Sequence, residues 1–378
     1  MIGTHSLTMN QKRVIVGLCL YPIDSDYEIA RKLSVKRSTF STIKKELISS
    51  LAIRPVNIPN FLSLKAEVIA LESFHLNPVI LARLMNNQPS SLQERIQHFP
   101  SIVSSIIDTH GGFSLLISKS LTDVTLAHKT LAGFCYESGL SDPHNFHLYT
   151  GPATEQGVLN FMEYGKQLAS VWGILIEEKH STSPLLCSSE DVIDQISPVG
   201  WKIFNNLINY PSKSIIELAE IVGKPRNTIS RWVQFFLRNE LYFTRYMPNL
   251  VMLGMKIQVA YFISIRGLND KDRKRLIESV QYNMHPFNLF ISHREIVINS
   301  VSKDYSSFRK DENAFIKTIR NTTNTPNQIK DKIVTSTGNL SFVKDFHRSL
   351  NPLLEYLKAS ERYNLKPFNK NTVIKNSI

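Results

Sequence analysis

Two runs of short polar and cationic side chains are the residues best suited to chemistry in this chain. They are Lys36, Arg37, Ser38, Thr39, Ser41, Thr42 and Lys45, and Lys224, Arg226, Asn227, Thr228, Ser230, Arg231 and Gln234. Both suit the grip of a polyanion: cations meet phosphate oxygens, and short hydroxyl or amide groups reach base edges without holding a helix out of a groove. Signals for catalysis are absent. The chain has no Walker loop, no dinucleotide glycine fingerprint, no HExxH and no Ser or Cys nucleophile motif, so no enzyme and no cofactor is expected. Cys19, Cys135 and Cys187 lie far apart with no CxxC, which points to small core residues, not to a disulfide framework or a zinc site.

Each run must be held by a scaffold, and the scaffold occurs twice. The stretch from Tyr21, YPIDSDYEIARKLSVKRSTFSTIKKEL, aligns without a gap at an offset of 189 with YPSKSIIELAEIVGKPRNTISRWVQFF from Tyr210. Between Leu18 and Leu64, 12 of 47 pairs are identical, against about three expected from average composition. In the first copy an apolar-periodic helix, Gln11–Leu20, ends at Tyr21-Pro22. Ser25, with Glu28 three residues on, forms a capping box for a second helix, and Ser214 and Glu217 repeat it. After a tight turn a third helix begins at Ser38 or Asn227. Phe40, Ile43 and Leu47, or Ile229, Val233, Phe236 and Leu237, form its apolar face, and the polar runs form the other. This is the layout of a helix-turn-helix, whose second helix enters the major groove by its N-terminal half. A short β-rich stretch follows in each copy, Ala52–Ile58 or Tyr242–Met247. It carries Arg54 or Arg245 and is expected to be a wing against the phosphate backbone.

Charge supports two gripping modules. The net charge is +12, but residues 10–65 carry ten Lys/Arg against four Asp/Glu, residues 66–180 six against eleven, and residues 199–256 eight against three. Basic segments separated by an acidic one suit two modules that meet a polyanion and one that does not. Hydrophobic residues make up 42% and charged residues 20%, the balance of an ordinary globular chain. No apolar run approaches the roughly 18 residues of a membrane span, and MIGTHSLTMNQKR lacks a signal-peptide core, so a cytoplasmic protein without membrane contact is expected.

Beyond each winged element the pattern reads β-α-β-β-α-β. In the first copy it comprises Ala66–Phe74, a helix near Ser90–His98, Ile102–Thr109, Phe113–Ser118, Asp123–Ser138 and Asn145–Tyr149. The second gives Gln258–Ile265, Asp270–Asn283, Leu289–Ser292, Ile296–Val301, Ser306–Asn321 and Lys330–Ser336. That order is the ferredoxin-like split βαβ. The expected fold is therefore α+β, as two tandem units. Winged helix-turn-helices span 10–65 and 199–256, and ferredoxin-like modules span 66–178 and 257–360. A Ser- and Pro-rich linker occupies 179–198 and a basic tail 361–378.

With these motifs the chain resembles the Lrp/AsnC family of transcription regulators, most clearly from Ile215 to Ile265 of the second copy. His110-Gly111-Gly112 looks like that family's glycine turn between strands. The resemblance implies sequence-specific binding of double-stranded DNA, a small-molecule effector as an option with His110, Gly111 and Gly112 as its weak candidates, and a homodimer or an intrachain pseudo-dimer. In the second copy Ile291–Ile296 lacks the glycine turn. Two alternatives stay open. One is an enzyme similar to siroheme decarboxylases, whose His-and-aromatic stretch His285–Phe290 resembles, with His110 set against it. The other is an interaction scaffold that no longer binds DNA.

Overall fold

The computed structural model describes residues 7–87, 94, 96–152, 158–175, 190–323, 329–337 and 341–358. Three helices open the chain: α1 Met9–Leu20, α2 Asp26–Lys32 and α3 Arg37–Ser49, followed by strand β1 Ile53–Pro59. The capping boxes form as the spacing demands. The Ser25 hydroxyl accepts from the Glu28 N–H at 3.3 Å, and the Glu28 carboxylate accepts from the Ser25 N–H at 2.9 Å. Ser214 and Glu217 repeat the exchange at 3.3 and 2.8 Å. Each box satisfies two N–H groups that a helix start otherwise leaves open.

The same elements recur at an offset of 189. α8 Pro198–Asn209, α9 Ile215–Val222, α10 Arg226–Arg238 and β7 Tyr242–Pro248 begin 189 residues after α1, α2, α3 and β1. Their turns recur as well. Left-handed residues fall at Ser34 and Gly223, Leu51 and Glu240, and Lys65 and Gly254, again 189 apart. A glycine takes that conformation without cost, whereas Ser34 and Lys65 hold it in spite of their Cβ.

After β1 come β2 Val68–His75, α4 Pro78–Asn87, β3 Ile102–Asp108, β4 Gly111–Ser118, α5 Leu121–Glu137, β5 Phe146–Pro152, β6 Val158–Asn160 and α6 Tyr164–Trp172, with a single helical turn, α7, at Glu190–Ile193. After β7 come β8 Ile257–Ser264, α11 Asp270–Met284, β9 Asn288–Ile291, β10 Glu295–Ser302, α12 Tyr305–Thr323, β11 Ile329–Ser336, β12 Ser341–Lys344 and α13 Phe346–Lys358. Two antiparallel five-stranded sheets result, in the orders β12-β3-β4-β2-β5 and β11-β8-β10-β9-β6. Each holds four strands of one half in split-βαβ order plus an edge strand lent by the other half: β6 pairs with β9, and β12 pairs with β3.

Three cores follow from this arrangement. One lies between the first sheet and its helices, built on Phe74, Leu81, Leu116 and Leu131, and another lies beneath the second sheet, on Tyr261, Leu276, Ile298 and Phe315. The third is shared. It runs from both three-helix groups through the opposed faces of the two sheets, from Phe40 and Phe236 to Leu71, Phe113, Phe262 and Phe290. Tyr149 of the first half stacks on Phe262 of the second with ring centroids 4.1 Å apart. His75 Nε2 and the Ser73 hydroxyl meet the Asp331 carboxylate at 3.1 and 2.6 Å across the same junction. The two halves thus close on each other within one chain.

Several expectations change. The stretches read as wings are no free hairpins: β1 and β7 pair with each other, antiparallel, from Ile53 opposite Pro248 to Pro59 opposite Tyr242. The unread helix α4 starts at Pro78, with the Asn77 side chain accepting from the N–H groups of Val79 and Ile80. The helix expected near Ser90–His98 falls mostly outside the described residues, as do most of the linker, the tail and Cys187. The third helices start one residue early, at Arg37 and Arg226, and Leu237, assigned to the apolar face, is 51% exposed. Cys19 and Cys135 are buried, and neither is in a disulfide among the described residues. Among the described residues no helix is long and apolar enough to cross a membrane.

Candidate nucleic-acid interface

α3 and α10 each anchor one face in a helical group. Phe40 and Leu47, and Ile229 and Phe236, are fully buried, which fixes the rotation of each helix and turns the opposite face outward. Lys36, Arg37, Ser38, Ser41, Thr42 and Lys45 are exposed on the first, and Lys224, Arg226, Asn227 and Arg231 on the second; Thr39, Thr228 and Ser230 are half-buried. The structure therefore brings the residues of each run onto one solvent-facing surface.

None of Lys36, Arg37, Lys45, Lys224, Arg226 and Arg231 is in an ion pair among the described residues, whereas the neighbouring Lys44 is spent on Asp26 at 2.7 Å and Lys32 on Asp24. The start of each third helix is also open. α1, α2, α8 and α9 take a side-chain cap from Thr8, Ser25, Ser197 and Ser214, but the caps of α3 and α10 are Lys36 and Pro225, which make no side-chain hydrogen bond. Uncapped N–H groups beside unpaired cations at a helix N-terminus are suited to phosphate oxygens.

The two arginines of the expected wings are engaged elsewhere. Arg245 is 6% exposed and donates to the Glu163 carboxylate at 2.8 Å. Arg54 donates through Nη2 to both Asp345 oxygens, at 3.1 and 2.9 Å. Each pair crosses from one half to the other, so these cations hold the ribbon of β1 and β7 in place and are withdrawn from the phosphate-facing set. The ribbon also relates the two third helices. Its register sets Val56 against Arg245, residues 189 apart, so a local two-fold passes through that pair and carries α3 toward α10.

The glycine turn has a structural role. His110 is an exposed turn residue whose carbonyl accepts from the Leu76 N–H at 2.8 Å. A Cβ on Gly111 would lie 2.2 Å from the Phe74 oxygen, and one on Gly112 2.0 Å from the Ile106 oxygen. The glycines let three strands approach. Of the stretch His285–Phe290, His285 ends α11 in the left-handed conformation, while Phe287 and Phe290 are buried in the shared core.

No family model matches the chain, and no curated protein does. Several solved structures are similar in backbone. An AsnC family transcriptional regulator from Agrobacterium tumefaciens is 16% identical, with 37% of this chain and 88% of that one covered and a TM-score of 0.30. Escherichia coli AsnC is 16% identical over 37% and 91%, with a TM-score of 0.29. The siroheme decarboxylase NirDL is 9% identical over 92% of this chain and 100% of that one, with a TM-score of 0.45.

Proposed function

We propose that this chain is a sequence-specific DNA-binding regulator that carries, within one polypeptide, the paired helix-turn-helices more often supplied by two subunits. The observation that carries this is the matched surface on α3 and α10: unpaired cations and short polar groups at two uncapped helix starts, related by the local two-fold of β1 and β7. Two readers related by a two-fold suit two half-sites of a pseudo-palindrome. Lys36, Arg37, Lys45, Lys224, Arg226 and Arg231 would position the protein on phosphates. Ser38, Thr39, Ser41, Thr42, Asn227, Thr228 and Ser230 would meet base edges.

The test is binding to genomic DNA fragments across a salt series, with and without Arg226→Ala and Arg231→Ala together. The expected result is selective, salt-sensitive binding. In the double variant the slope of log K against log salt should be shallower by about two, roughly 0.9 for each lost phosphate contact. An unchanged slope refutes the interface. Tight tetrapyrrole uptake in the visible spectrum, with negligible DNA affinity, would put an enzyme similar to siroheme decarboxylases in its place.

A further inference from the structure

A cavity of about 310 Å³ lies where the two sheets and the ribbon meet. That volume is at the small end of ligand sites. Most of its wall is apolar, including Leu71, Phe113, Phe287 and Phe290, and neither His110 nor His285 lines it. Gln258, Asn288 and Asn299 come from β8, β9 and β10 and are all buried, and the Arg54–Asp345 pair is about one-third exposed.

The first half has no amide at the same positions. Asn288 pairs with Asn299 in the second sheet as Ser104 pairs with Leu115 in the first, and Gln258 corresponds to Ile69 at the offset of 189. An apolar lining would serve the shared core equally well, and buried amides without full partners oppose folding. Their presence in the wall of a cavity calls for a ligand.

Hydrogen-bond accounting gives the ligand's chemistry. The acceptor oxygens of Asn288, Asn299 and Asp345 are occupied. Asn288 Oδ1 accepts from the Met162 N–H at 2.8 Å, Asn299 Oδ1 from Asn288 Nδ2 at 3.3 Å, and the Asp345 carboxylate from Arg54 Nη2 and the Arg348 N–H. The donors are not. Asn299 Nδ2 is buried with no partner, and Arg54 gives only Nη2 to Asp345. We propose that this cavity binds a small apolar monocarboxylate, its ring or chain among the phenylalanines and its oxygens accepting from Asn299, with the Arg54 guanidinium as the neighbouring cation. Leu51, just past α3, and residues Met247–Val251, at the end of β7, border the same space. A bound ligand therefore touches the connection after α3 and the end of β7 paired beside it, where Pro248 lies opposite Ile53, and control of DNA affinity through α3 is the consequence that rests on the function proposed above.

The test is calorimetric titration of the full chain, free of DNA, with phenylacetate, phenylacetamide and 2-phenylethylamine. Phenylacetate is expected to bind in the millimolar range or tighter, at least tenfold more tightly than the other two. Asn299→Leu and, as a second variant at the mouth, Arg54→Met should each weaken it at least tenfold. Absence of phenylacetate binding, equal binding of the amide or amine, or two unaffected variants would each overturn the proposal. Because no DNA is present, failure here leaves the regulator standing, and phenylacetate binding by a chain that ignores DNA leaves the site standing.

Discussion

Glu163→Gln and Asp345→Asn remove the same charge from two arrangements that differ in burial. Both acids precede the closing helix of a half, and both accept from an arginine of the central ribbon. Arg245 and Glu163 have side chains 8% and 16% exposed, whereas Arg54 and Asp345 are at 39% and 30%. Burial disfavours the charged form of Arg245 and the Glu163 carboxylate opposes this, with the net shift still downward. Taking away one partner of a buried pair costs about 3–5 kcal/mol. With some water reaching Glu163, Glu163→Gln is expected near the lower end, about 3 kcal/mol. The solvated Arg54 pair belongs to the class worth about 0–1 kcal/mol, so Asp345→Asn is expected below about 1 kcal/mol. Urea unfolding at neutral pH, read from the midpoint at unchanged m-value, measures both. Adding Arg245→Leu to Glu163→Gln should recover part of the loss, because an apolar side chain leaves no uncompensated charge. Equal losses in the two single variants, or a larger loss for Asp345→Asn, would refute the assignment of the Arg245 pair as the buried tie between the halves.

Two further outcomes follow from the junction and the turn. The hydrogen bond to Asp331 raises the His75 pKa against the opposing effect of burial. The Asp331 carboxyl is pushed up by burial but more strongly down by His75 and Ser73, and ends below its usual value. A raised histidine pKa contributes stability that is complete below about pH 6.5 and lost as pH rises through the folded value. A lowered carboxyl contributes stability above about pH 4 that is lost on acidification. The junction should therefore be strongest between those limits; stability measured from pH 5 to 8.5 should fall more steeply in the parent than in His75→Gln, and parallel curves would refute it. Gly112→Ala places a Cβ 2.0 Å from a strand carbonyl, a clash no rotamer relieves. Loss of soluble, cooperatively melting protein is expected, and a melting temperature within a degree or two of the parent would show that the strands can part.

Local signals were legible, and partners at long range were not. The capping boxes at Ser25 and Ser214 and the helical faces anchored by Phe40 and Phe236 depend on residues three or four apart, so the string of residues shows them. The polar runs of α3 and α10 could be placed on one surface for the same reason. Helix α4 carried a signal that went unread, Asn77 as cap with Pro78 at the first helical position. The fate of β1 and β7 was not local. A short β-rich stretch after a third helix reads equally as half a wing or as a strand awaiting a partner, and the partner lies 189 residues away in register. Arg54 and Arg245 went to the wrong surface with them. The cavity was hidden too, because Asn288 and Asn299 meet only once the sheet forms, and the Arg54–Asp345 pair spans 291 residues.

The ribbon shows what one chain can do that two identical ones cannot. On the two-fold of a homodimer a residue faces its own copy, and an arginine there would face an arginine, a like-charge pair directly across the strands. Here Val56 faces Arg245. With an apolar partner opposite, the arginine can be buried and tied to Glu163, and a core that crosses between the halves gains a fixed cation at its centre. The same freedom separates Leu115 from Asn299, one packing the shared core and the other burying an amide nitrogen that has no partner. α3 and α10 have diverged less in character than these central positions: both keep cations and short polar groups outward, although Thr39/Thr228, Ser41/Ser230 and Arg37/Arg226 are the only identical pairs among them. Divergence concentrated at the two-fold, with polarity retained on the outer helices, is the pattern expected when the outer surface answers to a symmetric partner and the centre answers only to its own packing and contents. Transplanting the outward residues of α10 onto α3 should therefore leave a folded protein with altered half-site preference, measured by selection from random duplexes, and an unchanged preference would mean that α3 does not read sequence.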